Sequence, residues 1–188
     1  TSPFMDVWFQ DVNRGWAVGA FGTLVTTEDG GQHWVNQDSK LDNPDQFHLN
    51  TVTGDGEGRV FVAGEGGVMF RSPDGGQSWG SLEPFYDGSW FGTVYDAQHD
   101  ALLVFGLRGH LYRSTDFGTT WEPVDADNSN TLAGGNASAA GGIVLAGGTD
   151  VYPQHVGRTI APPVIDIGGL SELRGIEPSE EGYRIGAL

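Results

Sequence analysis

The sequence predicts an all-β protein in which three four-stranded antiparallel sheets, and part of a fourth, repeat along the chain. The first observation is a turn motif, Ser/Thr-x-Asp-x-Gly-x-x-Trp, that occurs three times. Its copies are Thr27, Asp29, Gly31 and Trp34; Ser72, Asp74, Gly76 and Trp79; and Ser114, Asp116, Gly118 and Trp121. The second is a Gly-x-x-Gly pair ahead of each copy, at 19/22, 64/67 and 106/109. Both markers advance by 45 and then 42 residues, from Trp34 to Trp79 to Trp121. A period of this length with short β-rich segments is typical of propeller blades.

Each position of the motif, called here the Asp box, has a physical role. The hydroxyl and the carboxylate can bond nearby backbone N–H groups and so close a turn locally. The glycine can adopt a positive φ that other residues resist. The tryptophan presents a large ring to the core once the chain has turned back. We therefore predict that the three periodic tryptophans pack in the core.

The strands follow from the apolar segments around these markers. The first strands are predicted at Met5–Phe9, Leu49–Thr53 and Phe91–Tyr95, and the fourth strands at Trp34–Gln37, Trp79–Leu82 and Trp121–Val124. The second and third strands flank each Gly-x-x-Gly turn. Segments 59–63 and 101–105 are almost continuously apolar, which favours strands buried on both faces. No helical apolar spacing occurs through residue 128. A fourth repeat begins with strands at 131–135 and 142–147, but no fourth box follows.

Composition excludes several functional classes. The chain has 188 residues, 31 of them glycine, and a formal net charge of −16, with nine Lys plus Arg. This charge disfavours nucleic acid and anionic membrane surfaces as partners. Cysteine is absent, which excludes disulfides, thiolate zinc sites and thiol nucleophiles. No apolar run reaches the length of a membrane span, and residues 1–10 show no signal-peptide pattern.

Residues 1–128 resemble the BNR/Asp-box β-propellers. Segment 15–34, GWAVGAFGTLVTTEDGGQHW, is most similar to the Ycf48-like, or photosystem II assembly factor-like, branch. The resemblance implies a non-catalytic protein-interaction scaffold, placed in the periplasm or outside the cell, that supports assembly or operation of a membrane complex. The photosynthetic members resemble a seven-bladed ring with a basic partner surface. This chain has at most three and a half blades and few basic residues, so a photosystem partner is not predicted.

Residues 143–188 resemble a second family, the FAD-binding medium subunit of molybdenum hydroxylases. The matching words are LAGGTD at 145–150, VIDI at 164–167, ELRGI at 172–176 and YRIGAL at 183–188. The resemblance implies contacts with the FAD pyrophosphate from Ala146, Gly147, Gly148, Thr149 and Asp150. The family's second pyrophosphate loop does not occur in this chain. No cofactor is therefore expected, and FAD only if the tail is part of a complete flavin domain.

The predicted organisation is a propeller fragment at 1–128, a partial fourth blade at 129–147 and a short α/β-like, flavin-domain-like tail at 148–188. The first alternative function is an FAD-binding fragment of a molybdenum hydroxylase-type oxidoreductase, which would be cytoplasmic. The second is a glycan-binding or sialidase-like propeller. No catalytic set is predicted, because no nucleophile elbow occurs. No metal site is predicted, because the five histidines lack ligand spacing. The aromatic segment 85–91 fits either a cap on the core or a partner surface. Open blade edges predict self-association.

Overall fold

The computed structural model describes residues 2–126, 131–138, 142–147, 176–179 and 182–185. Three four-stranded antiparallel sheets follow one another in sequence order, each with its strands in the order first, second, third, fourth. Blade 1 contains β1 (Phe4–Phe9), β2 (Gly15–Gly19), β3 (Leu24–Thr27) and β4 (Val35–Asn36). Blade 2 contains β5 (Leu49–Gly54), β6 (Val60–Gly64), β7 (Met69–Ser72) and β8 (Gly80–Ser81). Blade 3 contains β9 (Trp90–Asp96), β10 (Ala101–Gly106), β11 (Leu111–Ser114) and β12 (Glu122–Pro123).

A fourth sheet has two described strands, β13 (Leu132–Ser138) and β14 (Gly142–Gly147), which pair antiparallel. The predicted all-β propeller fragment of three full blades and a partial fourth is therefore confirmed. The helical turns within residues 2–126 are single 3₁₀ turns, and three of them, at Ala20–Gly22, Glu65–Gly67 and Leu107–Gly109, join the second strand of a blade to the third.

The core lies between successive sheets. The second strands β2, β6 and β10 are buried along their whole length, as their continuous apolar sequences predict. Alternate residues of one strand point to opposite faces, so each blade contributes to two layers. Phe61 of β6 packs toward blade 3, with Trp90 and Leu102, whereas Val62 packs toward blade 1, with Trp16 and Val18. The third layer joins blade 3 to the fourth sheet through Phe105, Leu132 and Leu145.

The three box tryptophans are not equally buried, and the predicted core role of Trp34 is wrong. Trp79 packs partly buried against the layer between blades 1 and 2. Trp121 packs against the next layer, with its ring centroid 5.7 Å from that of Phe61. Trp34 is 39% exposed and meets the edge of Phe9 at 6.0 Å. Trp79 and Trp121 each pack on the blade before their own, whereas among the described residues no sheet precedes blade 1.

The last described elements are β15 (Ile176–Ser179) and β16 (Gly182–Ile185), which form an antiparallel hairpin. Most of the predicted α/β-like tail, residues 148–175, lies outside the described residues. Its flavin-domain character stays a prediction.

Candidate functional site

The Asp boxes form one edge of the propeller, and each is closed by the same hydrogen bonds. In blade 2 the Ser72 hydroxyl donates to Asp74 Oδ1 at 2.8 Å and accepts the Gly76 N–H at 2.7 Å. Thr27 makes the equivalent bonds with Asp29 and Gly31, and Ser114 makes them with Asp116 and Gly118. All three glycines have the positive φ expected of them. The boxes are therefore turns that satisfy their own polar groups.

A fifth position completes each box, and sequence reasoning missed it. The residue before the tryptophan donates its N–H to one oxygen of the box aspartate and places its side chain on the other. Ser78 Oγ lies 2.6 Å from Asp74 Oδ2, Thr120 Oγ1 lies 2.7 Å from Asp116 Oδ2, and His33 Nδ1 lies 2.6 Å from Asp29 Oδ2. The position was missed because three different residue types occupy it. Their shared feature is a side-chain polar atom that reaches Oδ2 of the box aspartate.

These bonds lower the pKa of all three box carboxyls. The Ser78 hydroxyl and then its backbone N–H lower the pKa of Asp74 from the ordinary 3.8 to about 2. For Asp29 and Asp116, the backbone N–H and then the side chain of His33 and Thr120 lower the pKa to about 2. Hydrogen bonds to a charged form favour that form, so the folded state holds each aspartate ionised more strongly than the unfolded chain does.

This predicts a loss of stability in acid. A carboxyl with a lowered folded-state pKa stabilises the fold above about pH 4, and this contribution disappears as the pH falls toward 2. We expect the melting temperature of the chain to fall by several degrees across this window. Asp74→Asn should lower the melting temperature at pH 6 and flatten the decline. Asp42→Asn, at an exposed aspartate outside the boxes, should do neither. Equal pH profiles for both variants, measured by circular dichroism, would contradict the role of the box.

The box edge is also tied to the neighbouring blades. Lys40 Nζ, which follows blade 1, donates to the Gly76 carbonyl of the second box at 2.8 Å. Arg71 of blade 2 donates to Thr119 Oγ1 of the third box at 2.6 Å. This contact gives Arg71 a structural role. The boxes thus join blades, and their polar groups are engaged within the chain.

The opposite edge of the propeller, called here the turn rim, consists of the turns Ala20–Gly22, Glu65–Gly67 and Leu107–Gly109 with the inter-blade loops 37–48 and 82–89. Because strands alternate in direction, these segments meet at the edge away from the boxes. The Glu65 N–H donates to the His48 carbonyl at 2.9 Å, and the Leu107 N–H donates to the Ser89 carbonyl at 3.3 Å. Turns and loops therefore form one continuous surface.

The tips of the three turns have a left-handed backbone. Phe21, Gly66 and Arg108 occupy the same repeat position, with φ of 58°, 63° and 57°. For a residue with a side chain this conformation costs about 1–2 kcal/mol. Phe117, in the third box, also has a positive φ, but it is buried and packs against Phe61 at 6.4 Å. Phe21 is 59% exposed and has no such compensation from the core.

The turn rim combines aromatic rings with carboxylates. The Phe21 ring lies 5.1 Å from the ring of His48, and Tyr86 lies 4.3 Å from His110. Phe85 is exposed at one side while it packs at 4.8 Å from Tyr112, so segment 85–91 caps the core and also presents a ring to solvent. The exposed carboxylates of the turn rim are Asp42, Asp45, Glu65, Glu83 and Asp87. Aromatic residues are enriched at protein interfaces, so the exposed rings of the turn rim make it a candidate surface for binding a protein segment.

The structure describes only part of the predicted FAD-contacting segment. Ala146 and Gly147 end β14, whereas Gly148, Thr149 and Asp150 lie outside the described residues; their role toward FAD stays a prediction. Within the described part of the chain, no group of three or more His, Asp or Glu could hold a metal ion. In the same residues, no helix combines the length and apolar character of a membrane span.

Comparison with known proteins gives consistent relatives for the propeller part. Residues 1–147 match the family described as photosynthesis system II assembly factor YCF48. The photosystem II assembly lipoprotein Ycf48 of Synechococcus sp. (strain CC9902) is 32% identical over 149 residues, which cover 77% of this chain and 43% of the relative. The photosystem II assembly protein Ycf48 of Thermosynechococcus vestitus is 33% identical over 145 residues, covering 77% and 41%.

Among solved structures, YCF48 bound to D1 peptide is similar to this chain with a TM-score of 0.63 and 30% identity. The match covers 77% of this chain and 48% of that protein. The chain thus spans less than half the length of these relatives.

Proposed function

Because this chain belongs to the photosystem II assembly factor YCF48 family, we propose that it is a non-catalytic scaffold that binds a protein segment during assembly of a membrane complex. The proposal places the binding surface on the turn rim. It also places the chain outside the cytoplasm, which is supported by a relative that is named a lipoprotein.

The observation that carries this proposal is the exposed, strained tip at Phe21. Blade 2 shows that glycine meets the backbone requirement of this turn, since Gly66 occupies the same position. Phe21 and Arg108 therefore bear a conformational cost that the fold itself does not require. Strain of this kind concentrates where side chains are presented for function. Phenylalanine and arginine are also enriched at protein interfaces.

A related protein in complex with D1 peptide supports a protein segment as the partner. The turn rim of this chain is acidic, and this favours a segment with basic and apolar side chains. The box edge is a weaker candidate, because its carboxylates are engaged by Ser78, Thr120 and His33.

The test separates binding from stability through one substitution. Phe21→Gly removes the exposed ring and relieves the left-handed strain, so the melting temperature should stay unchanged or rise. Binding of fluorescently labelled D1 peptide, measured by anisotropy, should weaken at least about fivefold, the size expected for loss of an exposed aromatic anchor.

Val12→Ala is the matched control, because Val12 is 86% exposed in the β1–β2 loop at the box edge. It should leave peptide affinity unchanged. Failure of the unmodified chain to bind the peptide saturably would refute the proposed peptide-binding role. Equal peptide affinities for the unmodified chain and the Phe21→Gly variant would exclude the turn rim as the peptide-binding site.

A further inference from the structure

The boundary between blades 2 and 3 carries a partly exposed group of aromatic rings. The ring centroid of Phe85, in the inter-blade loop 82–89, lies 5.7 Å from that of Trp90 and 5.8 Å from that of Trp121. The Phe85 ring also meets the edge of Tyr112 at 4.8 Å. Phe85 is nevertheless 41% exposed, and Tyr112 and Trp121 are only half-buried. Phe85, Tyr112 and Trp121 are called here the ring cluster.

The boundary between blades 1 and 2 is sealed at the same repeat positions. Phe70 occupies in blade 2 the position that Tyr112 occupies in blade 3, and it is 2% exposed. Leu41, from the inter-blade loop 37–48, packs in the same layer and is 8% exposed. Both boundaries lie between two described four-stranded sheets. The exposure of the ring cluster therefore comes from its own side chains and not from a missing neighbour.

Two carboxylates border the ring cluster. Glu83 and Asp87 stand two residues before and two residues after Phe85, and both are exposed. Among the described residues neither forms an ion pair or a hydrogen bond. Burial raises the pKa of Tyr86, whereas the nearby Arg108 guanidinium lowers it, so Arg108 lies at the Tyr86 end of the loop. The surface beside Phe85 thus combines ring faces with unpaired negative charge.

The chain itself shows which group pairs with rings and carboxylates of this kind. The Arg59 guanidinium, from blade 2, lies over the Phe117 ring of the third box at 4.4 Å. Asp55 and Asp100 form ion pairs with the same guanidinium. A cation over a ring face is attracted by the quadrupole of the ring, and a planar guanidinium also matches the geometry of a carboxylate. In the described part of the chain, no arginine lies over the rings of the ring cluster.

We propose that the ring cluster binds an arginine side chain of the partner segment. In this arrangement the guanidinium lies against the exposed face of Phe85 and pairs with Glu83 and Asp87, while the apolar stem of the arginine covers Tyr112 and Trp121. The identity of the partner as a protein segment rests on the proposed function, whereas the preference for a guanidinium comes from the rings and carboxylates. The same carboxylates disfavour an anionic group of the partner at this position.

Heteronuclear NMR of the isotope-labelled full chain tests the site with a short probe, acetyl-glycyl-arginyl-glycine amide. The indole N–H resonance of Trp121, identified by its absence in Trp121→Phe, should shift saturably with a dissociation constant on the order of 1 mM. The comparison probe is the same peptide with citrulline in place of arginine. Citrulline keeps the shape of the side chain and loses its charge, so its affinity should be at least about fivefold lower.

Substitutions in the loop 82–89 separate the ring from the charges. Phe85→Leu keeps an apolar side chain but removes the ring, and it should weaken binding of the arginine peptide at least about threefold. Glu83→Gln combined with Asp87→Asn removes both charges and should weaken it at least about fivefold. Glu57→Gln is the matched control, because Glu57 is an exposed carboxylate in the β5–β6 loop, and it should leave the affinity unchanged. Circular dichroism checks that each variant keeps its strands.

The absence of a saturable Trp121 shift would overturn the inference, as would equal affinities for the arginine and citrulline peptides. Full binding by both the Phe85→Leu variant and the double carboxylate variant would also overturn it. Titration with the D1 peptide tests the proposed function separately. Arginine-dependent binding by a chain that does not bind the D1 peptide would refute the proposed function alone. Binding of the D1 peptide without the arginine-dependent shift would refute the role of the ring cluster alone.

Discussion

Replacing Gly64 by alanine is expected to lower the free energy of unfolding by about 3 kcal/mol or more, at the upper end of the range for overpacked sites. The added Cβ would overlap the carbonyl oxygen of His48, far inside van der Waals contact. Gly64 has a φ of −162°, an extended backbone that alanine adopts freely, so the cost is one of space. Neither backbone can retreat easily, because the same carbonyl accepts the Glu65 N–H at 2.9 Å.

Gly80→Ala is the matched control. Gly80 lies exposed on β8, and a Cβ added there meets nothing within 4 Å. The free energy of unfolding should change by no more than about 0.5 kcal/mol, as for most surface substitutions. Urea unfolding followed by tryptophan fluorescence measures both variants. If Gly64→Ala were as stable as Gly80→Ala, the close approach of the two backbones would be refuted.

This glycine shows what could and could not be predicted from the sequence. The Gly-x-x-Gly pairs were visible as a periodic marker, and a tight turn at each pair was predicted correctly. The requirement for glycine at the first position of each pair was not visible. It is imposed by a backbone carbonyl that belongs to an earlier segment of the chain. Gly19 and Gly106 are explained in the same way, by the carbonyls of Pro3 and Ser89. A contact between distant segments leaves no local pattern.

The candidate site shows the same difference between features set by local sequence and features set by distant segments. The hydrogen bonds within each Asp box join residues at most four positions apart, so the roles of the hydroxyl and the carboxylate followed from local chemistry. The turn rim was missed, since it is assembled from loops of different blades. One signal could have indicated it: alignment of the repeats places Phe21 and Arg108 at the position of Gly66, inside a turn that favours glycine.

The box tryptophans allow the contribution of a neighbouring blade to be measured at one repeat position. Trp79→Ala is expected to lower the free energy of unfolding by about 3 kcal/mol, because it opens a cavity between blades 1 and 2. Trp34→Ala should cost about 1 kcal/mol or less, since its ring is 39% exposed and packs mainly against Phe9. Both residues follow the same Asp-x-Gly-x-x spacing, so the turns that precede them have the same local structure.

A third variant tests whether packing or the indole N–H is responsible. The Nε1 of Trp79 is buried without a hydrogen-bond partner, so Trp79→Phe removes an unsatisfied donor while it keeps most of the ring in place. It should restore most of the stability that Trp79→Ala loses. Urea unfolding followed by circular dichroism measures all three variants. Equal losses for Trp34→Ala and Trp79→Ala would mean that the box turn, and not the adjoining blade, determines what each tryptophan contributes.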